Sequence, residues 1–101
     1  MFLGENVSYA SLRVGEMLRE RYNWTCLRDI IEWVADNAPI LKCVGCSLPL
    51  SAAGWVLRWY PHPNGLKLED FDEPMWVYVE CAKCGYGNAL WKLIRQVEAE
   101  R

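Results

Sequence analysis

The chain has 101 residues, 52 % of them apolar, with a formal net charge of −2 and a pI near 5.3. That length makes one domain, or a small domain with an appendage. The acidic balance excludes a general polyanion binder, which needs a basic surface, but leaves room for a local basic patch. No run approaches the ~20 apolar residues of a membrane span, so no membrane partner is expected. The opening Met1-Phe2-Leu3-Gly4-Glu5-Asn6 lacks the basic-then-apolar order of a signal peptide, which predicts a cytoplasmic protein.

Helical periodicity runs over residues 7–38. Ser8 is a candidate cap, and Val7, Ala10, Val14, Met17 and Leu18 form an apolar stripe. Arg13, Glu16, Arg19 and Glu20 lie on the other side. Asn23 and Thr25 predict a break and a new cap. A second stripe follows: Leu27, Ile30, Ile31, Val34 and Ala38, with Cys26 beside it as a small core residue. Pro39 stops the helix. The short connection predicts a two-helix hairpin over residues 1–39.

Residues 40–87 read as a β-type module. Gly54 to Tyr60 is rich in strand formers, and Pro61-His62-Pro63-Asn64-Gly65 is a turn signal that leaves His62 facing solvent. An acidic loop with Glu69, Asp70, Asp72 and Glu73 precedes a second strand, Met75 to Glu80. A third helix runs from Asn88, as its cap, to Glu100, with Leu90, Leu93, Ile94 and Val97 inward.

The chemistry sits in two identical spacings: Cys43-Val44-Gly45-Cys46 and Cys81-Ala82-Lys83-Cys84. Each C-x-x-C turn presents two thiolates to one ion, and two such turns complete a tetrahedron with no open position, as in a structural metal site. Backbone N–H groups of such turns point back at sulfur. Paired C-x-x-C spacing without an export signal favours metal ligands in a reducing compartment over disulfides. The expected cofactor is one Zn²⁺ per chain, with Fe as the alternative in the same thiolates. Gly85 supplies the positive φ that a tight knuckle needs, whereas Ser47, following Cys46, predicts a less regular first knuckle.

Tyr78-Val79-Glu80-Cys81-Ala82-Lys83-Cys84-Gly85-Tyr86 resembles the C-x-x-C-G-Y knuckle of the zinc-ribbon and rubredoxin-knuckle class. The resemblance covers residues 40–87 and identifies a class, not one family. It implies a zinc ribbon or, less closely, a treble clef. It also implies roles in transcription, translation, nucleic-acid handling or protein interaction. The predicted fold is therefore α+β: an N-terminal two-helix hairpin packed on a four-cysteine zinc-ribbon β-hairpin, closed by a C-terminal helix. The division is 1–39 and 40–101, within one compact unit.

Alternation puts Trp55, Leu57 and Trp59 on one strand face and Val56, Arg58 and Tyr60 on the other; Trp76, Tyr78 and Glu80 alternate with Met75, Val77 and Val79. One ribbon face must cover the helices. The other can expose Arg58, Tyr60, Trp76 or Tyr78, either as cross-strand pairs or as a stacking platform. The acidic loop is either a solvated turn or a contact for a basic partner. The second helix is acidic on its exposed side, which disfavours DNA reading by the hairpin. A single histidine, no catalytic triad and no phosphate loop predict a non-catalytic protein. The expected function is a zinc-stabilised binding module, regulatory or adaptor in kind, with a protein partner ahead of nucleic acid. Its state as monomer or homodimer is left open. The alternatives are a rubredoxin-like iron electron carrier and a single-stranded nucleic-acid binder using Arg58, Lys83 and the aromatics.

Overall fold

A computed structural model describes Gly15 and residues 18–100. The greater part of the first predicted helix, with its cap Ser8, lies outside the described residues; residues 18–22 are helical. The fold is mixed α and β. Helix α1 spans Leu27–Asn37, a one-turn helix α2 spans Leu50–Ala53, and α3 spans Leu90–Glu100. Strands β1 (Trp55–Leu66), β2 (Met75–Cys81) and β3 (Gly87–Ala89) form one antiparallel sheet in the order β1-β2-β3. The described part thus holds a three-stranded sheet, in which β3 joins the two strands of the predicted β-hairpin.

The break between the first helical segment and α1 falls where Asn23 and Thr25 predicted it. Asn23 adopts φ 52, a left-handed conformation that asparagine tolerates. The cap is one residue later than expected. Cys26 is the N-cap of α1 and is half-buried, so it is not the core residue its apolar neighbours suggested. Thr25 stands just outside the helix and shares the Asp29 carboxylate with Cys26: both backbone N–H groups donate to it, at 2.8 and 3.3 Å. The Thr25 N–H holds the Asp29 carboxyl below its ordinary range, against the opposing effect of desolvation. The helix ends at Asn37, two residues before Pro39.

Strand β1 is longer than its strand-forming segment. Pro61 and Leu66 both stand opposite Met75, so Pro61-His62-Pro63-Asn64-Gly65 is a bulge within β1 and not a hairpin turn. Prolines fit there because a bulge does not require their missing N–H groups. Gly65 lies so close to the Met75 carbonyl that no Cβ fits between them. His62 is half-buried, not solvent-facing: its N–H donates to the Pro74 carbonyl at 3.0 Å and its ring lies 5.5 Å from Trp76.

One apolar cluster joins the three helices with β1 and β2. Leu18, Trp24, Ile30 and Val34 share it with Leu41, Leu50, Leu66 and Leu68, with Val77 and Val79 of β2, and with Leu90, Leu93, Ile94 and Val97 of α3. The four α3 residues are those its 3.6-residue period selects. Tyr22, Trp24 and Trp33 pack ring on ring, with Tyr22 and Trp24 stacked at 4.8 Å. Cys43 and Cys81, 1 % and 0 % exposed, belong to the same cluster. The cysteine site is therefore built into the core.

The acidic loop docks on the start of α1. The Glu69 N–H donates to the Thr25 carbonyl at 2.8 Å, and the Leu27 N–H donates to the Asp70 carboxylate at 2.6 Å. Asp70 thus satisfies one of the unpaired donors at the helix N-terminus, where negative charge is favoured. Glu69, Asp72 and Glu73 remain exposed.

Candidate metal centre and the outer face of the sheet

Each C-x-x-C turn is closed by its own pair of backbone hydrogen bonds, and the two pairs match. In the first, the Cys43 N–H donates to the Leu48 carbonyl at 3.0 Å and the Ser47 N–H to the Cys43 carbonyl at 2.8 Å. In the second, the Cys81 N–H donates to the Tyr86 carbonyl at 2.9 Å and the Gly85 N–H to the Cys81 carbonyl at 2.8 Å. The residue after the second cysteine is left-handed in both: Ser47 has φ 66 and Gly85 φ 79. The first knuckle is thus as regular as the second, contrary to the expectation from Ser47. A serine there carries a steric cost of roughly 1 kcal/mol that glycine does not. Ser47→Gly is accordingly expected to raise unfolding stability by about 0.5 kcal/mol, after its greater unfolded-state entropy is set against that relief. A urea titration of the two proteins checks it.

All four sulfur atoms lie within 4.8 Å of one another, a grouping that can hold a metal ion. Cys43 Sγ is 3.5 Å from Cys84 Sγ, and Cys46 Sγ is 3.8 Å from Cys81 Sγ. A tetrahedron with metal–sulfur bonds of about 2.3 Å has edges of about 3.8 Å, so these spacings fit four thiolates around one ion. Backbone groups point at sulfur, among them the Gly45 N–H at Cys43 (3.3 Å) and the Cys84 N–H at Cys81 (3.5 Å). Such bonds offset thiolate charge. Gly45 is packed closely enough that a Cβ would stand 2.8 Å from the Tyr86 Cβ and 3.2 Å from Cys84 Sγ.

The sulfurs are not equivalent. Burial pushes the Cys43 thiol up, but the Cys46 N–H, the Asn88 amide and its other hydrogen bonds outweigh that and bring it down to about 6. At Cys84 the Tyr86 N–H lowers the thiol, while desolvation and the three neighbouring cysteines push it up to about 12. Cys84 is also the exposed member of the four.

Two residues that sequence reasoning missed hold the knuckles in place. Asn88, predicted as a helix cap, lies in β3 and is 0 % exposed. Its Oδ1 accepts from the Val44 N–H at 2.8 Å, and its Nδ2 donates to the Val79 carbonyl at 3.1 Å. One side chain therefore ties the first knuckle to the strand that leads into the second. Helix α3 starts two residues later than predicted, at Leu90. Gln96 on α3 grips the lead-in to the first knuckle: its Oε1 accepts from the Lys42 N–H and its Nε2 donates to the Lys42 carbonyl, both at 2.9 Å. The available signal for Asn88 was its place one residue beyond the Gly85-Tyr86-Gly87 run. For Gln96 it was a polar residue adjoining the inward stripe of α3.

The register gathers the other predicted residues by face. Arg58 stands opposite Tyr78, Tyr60 opposite Trp76 and Val56 opposite Glu80, so these six share one side of the sheet. Arg58 Nε donates to Glu80 at 3.1 Å across the strands. The Tyr60 and Tyr78 rings meet edge to face at 5.8 Å. Trp55, Leu57 and Trp59 share the other side with Val77 and Val79; Trp55 and Leu57 pack against the core, while Trp59 is exposed. The acidic loop belongs to that inner side, with Phe71 5.7 Å from Trp59. The structure thus brings Arg58, Tyr60, Trp76 and Tyr78 together and sets Glu69, Asp70, Asp72 and Glu73 apart from them.

No family model matches the chain, and no curated protein and no solved structure is similar to it. No helix among the described residues is long and apolar enough to cross a membrane.

Proposed function

We propose that this chain is a small non-catalytic binding module of the zinc-ribbon kind, rigidified by one Zn²⁺ on Cys43, Cys46, Cys81 and Cys84. The observation that carries this reading is the four-sulfur cluster, all within 4.8 Å and half of it in the core. Four protein thiolates fill a tetrahedral ion's coordination, so no position remains for substrate or water, and the metal's contribution is rigidity. The role read for it is that of an adaptor or regulator. The exposed carboxylates of Glu69, Asp72 and Glu73, clear of the sheet's outer face, suit a basic segment of a protein partner.

A second reading, a rubredoxin-like electron carrier, is favoured by two observations. Cys84 is exposed, and two N–H groups point at the sulfurs of Cys43 and Cys81. In an iron site, solvent access and such hydrogen bonds set the potential.

Elemental mass spectrometry of protein purified without added metal, with a visible spectrum of the same sample, decides between the two. One zinc per chain and no visible absorption is the expected result. Iron with thiolate charge-transfer bands transfers the site to electron carriage. Neither metal, with the cysteines joined as disulfides, overturns both readings.

A further inference from the structure

The outer face of the sheet is more than a row of cross-strand pairs. Two shallow grooves adjoin on it, sharing Tyr78 and Gly87. The first runs between Tyr60 and the second knuckle at Gly85, with Arg58 and Glu80 on its wall. The second runs between Trp76 with His62 and Trp91 with Lys92, with Tyr86 at its edge. Gly87 and Ala89 oppose Glu80 and Tyr78 across β2–β3, so small residues floor the furrow while aromatic rings form its sides. His62 Nδ1 accepts the Asn64 N–H at 3.0 Å, which places the neutral ring's proton on Nε2 and leaves that atom a donor.

Two cations stand at the Trp91 rim of the furrow. Lys92 and Arg95 lie over Trp91, their cationic groups 5.7 and 5.6 Å from its ring centre. Among the described residues neither has a carboxylate at ion-pair distance, and neither has Lys83 on the second knuckle; the two ion pairs are Arg21–Glu98 and Arg58–Glu80. The acidic loop lies on the inner side, through Phe71 against Trp59. A chain of net charge −2 therefore presents an aromatic furrow with unpaired cations beside it.

From this arrangement we propose that the outer face binds a short stretch of single-stranded nucleic acid. Bases stack on Tyr60, Trp76, Tyr78 and Trp91, and Lys92, Arg95 and Lys83 take the phosphates. Every base has a flat π-face and every nucleotide a negative charge, so rings flanked by free cations suit that ligand without a sequence code. An apolar peptide would use the rings and leave the cations idle. A duplex hides its base faces and would use the cations alone. The inference deepens the reading as a binding module by naming what its outer face takes. It rests on the knuckles being folded, since Gly85 and Tyr86 help form the furrow.

The test is fluorescence anisotropy of zinc-loaded full-length protein with short fluorescein-labelled oligo-dT and oligo-U, over a series of salt concentrations, with tryptophan emission followed in parallel. The expected result is binding to the single strands with quenching of tryptophan. Three phosphate contacts give a slope near −2 for log affinity against log salt, at about −0.7 per contact. Tyr60→Ala removes a ring that is 56 % exposed and is expected to weaken binding about tenfold, one stacked base's worth. The double variant Lys92→Glu, Arg95→Glu flattens the salt slope. Each variant is compared with the parent by zinc content and thermal melt, so lost binding is separated from lost folding. No binding at low salt by protein with its full zinc overturns this inference and leaves the binding module standing; protein without zinc overturns the module itself. Equal affinity for duplex, unchanged by Tyr60→Ala, means a plain polyelectrolyte contact and overturns the proposal. So does salt-independent quenching by a proline-rich peptide with no response to the oligonucleotides.

Discussion

If the four cysteines hold zinc as proposed, its removal with a strong chelator at neutral pH is expected to unfold the cysteine-bearing half of the chain. Structural zinc in small domains contributes on the order of 10 kcal/mol to folding, comparable with the whole stability of about 5–15 kcal/mol of an ordinary domain. The expectation follows from where the sulfurs sit. Cys43 and Cys81 are core residues, and the four sulfurs lie within 4.8 Å of one another. Without an ion, ionised sulfurs repel one another in a poorly solvated space. Protonated sulfurs instead leave the two knuckles joined chiefly through Asn88. The measurement is tryptophan emission and near-ultraviolet circular dichroism during chelator titration, with recovery when zinc is returned. Cys81→Ser is expected to give the metal-free spectrum without chelator. A native spectrum from protein shown to have lost its metal would rule out a stabilising role for the site.

Asn88→Ala is the second large effect, at about 3 kcal/mol of lost stability. The alanine removes a side chain that is 0 % exposed, leaving the buried Val79 carbonyl and the half-buried Val44 N–H without its hydrogen bonds. Each orphaned buried group costs about 1–3 kcal/mol, and the missing amide volume adds a small cavity. Because Asn88 fixes the backbone of the first knuckle, metal affinity should fall as well, by the 10–100-fold typical of losing a group that positions ligands. Asn88→Asp is expected to be worse than alanine. A carboxylate cannot donate to the Val79 carbonyl, and its charge stands beside four thiolates. Urea unfolding with a constant slope, together with a competition titration against a zinc chelator, measures both effects. Unchanged metal affinity in Asn88→Ala would show that the side chain serves the sheet alone.

The four ligand candidates were legible because their signal is local. C-x-x-C is a turn, and two copies imply a shared ion whatever the path of residues 47–80 between them. The inward stripes were legible for the same kind of reason: a 3.6-residue period gives Ile30 and Val34 in α1 and Leu90, Leu93, Ile94 and Val97 in α3 without knowledge of their partners, although it also selected Ile31, which is exposed. The alternation of β1 and β2 predicted which side chains share a face on each strand, and the Arg58–Tyr78 and Tyr60–Trp76 pairing joined the two outer sets into one surface.

What stayed hidden depends on contacts between segments distant in the chain. Pro61 to Gly65 has the composition of a turn, and only the placement of Met75 against both Pro61 and Leu66 makes it a bulge. Asn88 has the composition of a cap, yet β3 pairs with β2 and draws it into the interior, where Val44 and Val79 consume its hydrogen bonds. Ser47 lacks glycine's freedom but takes the same left-handed backbone, because the knuckle's two hydrogen bonds hold it there. Local periodicity and ligand spacing are properties of neighbouring residues, so the amino-acid order alone determined the helix stripes, the strand faces and the sulfur set. Register, the site of the bulge and the partner of a buried polar group are set by what arrives from elsewhere in the chain, and only the tertiary structure decided them.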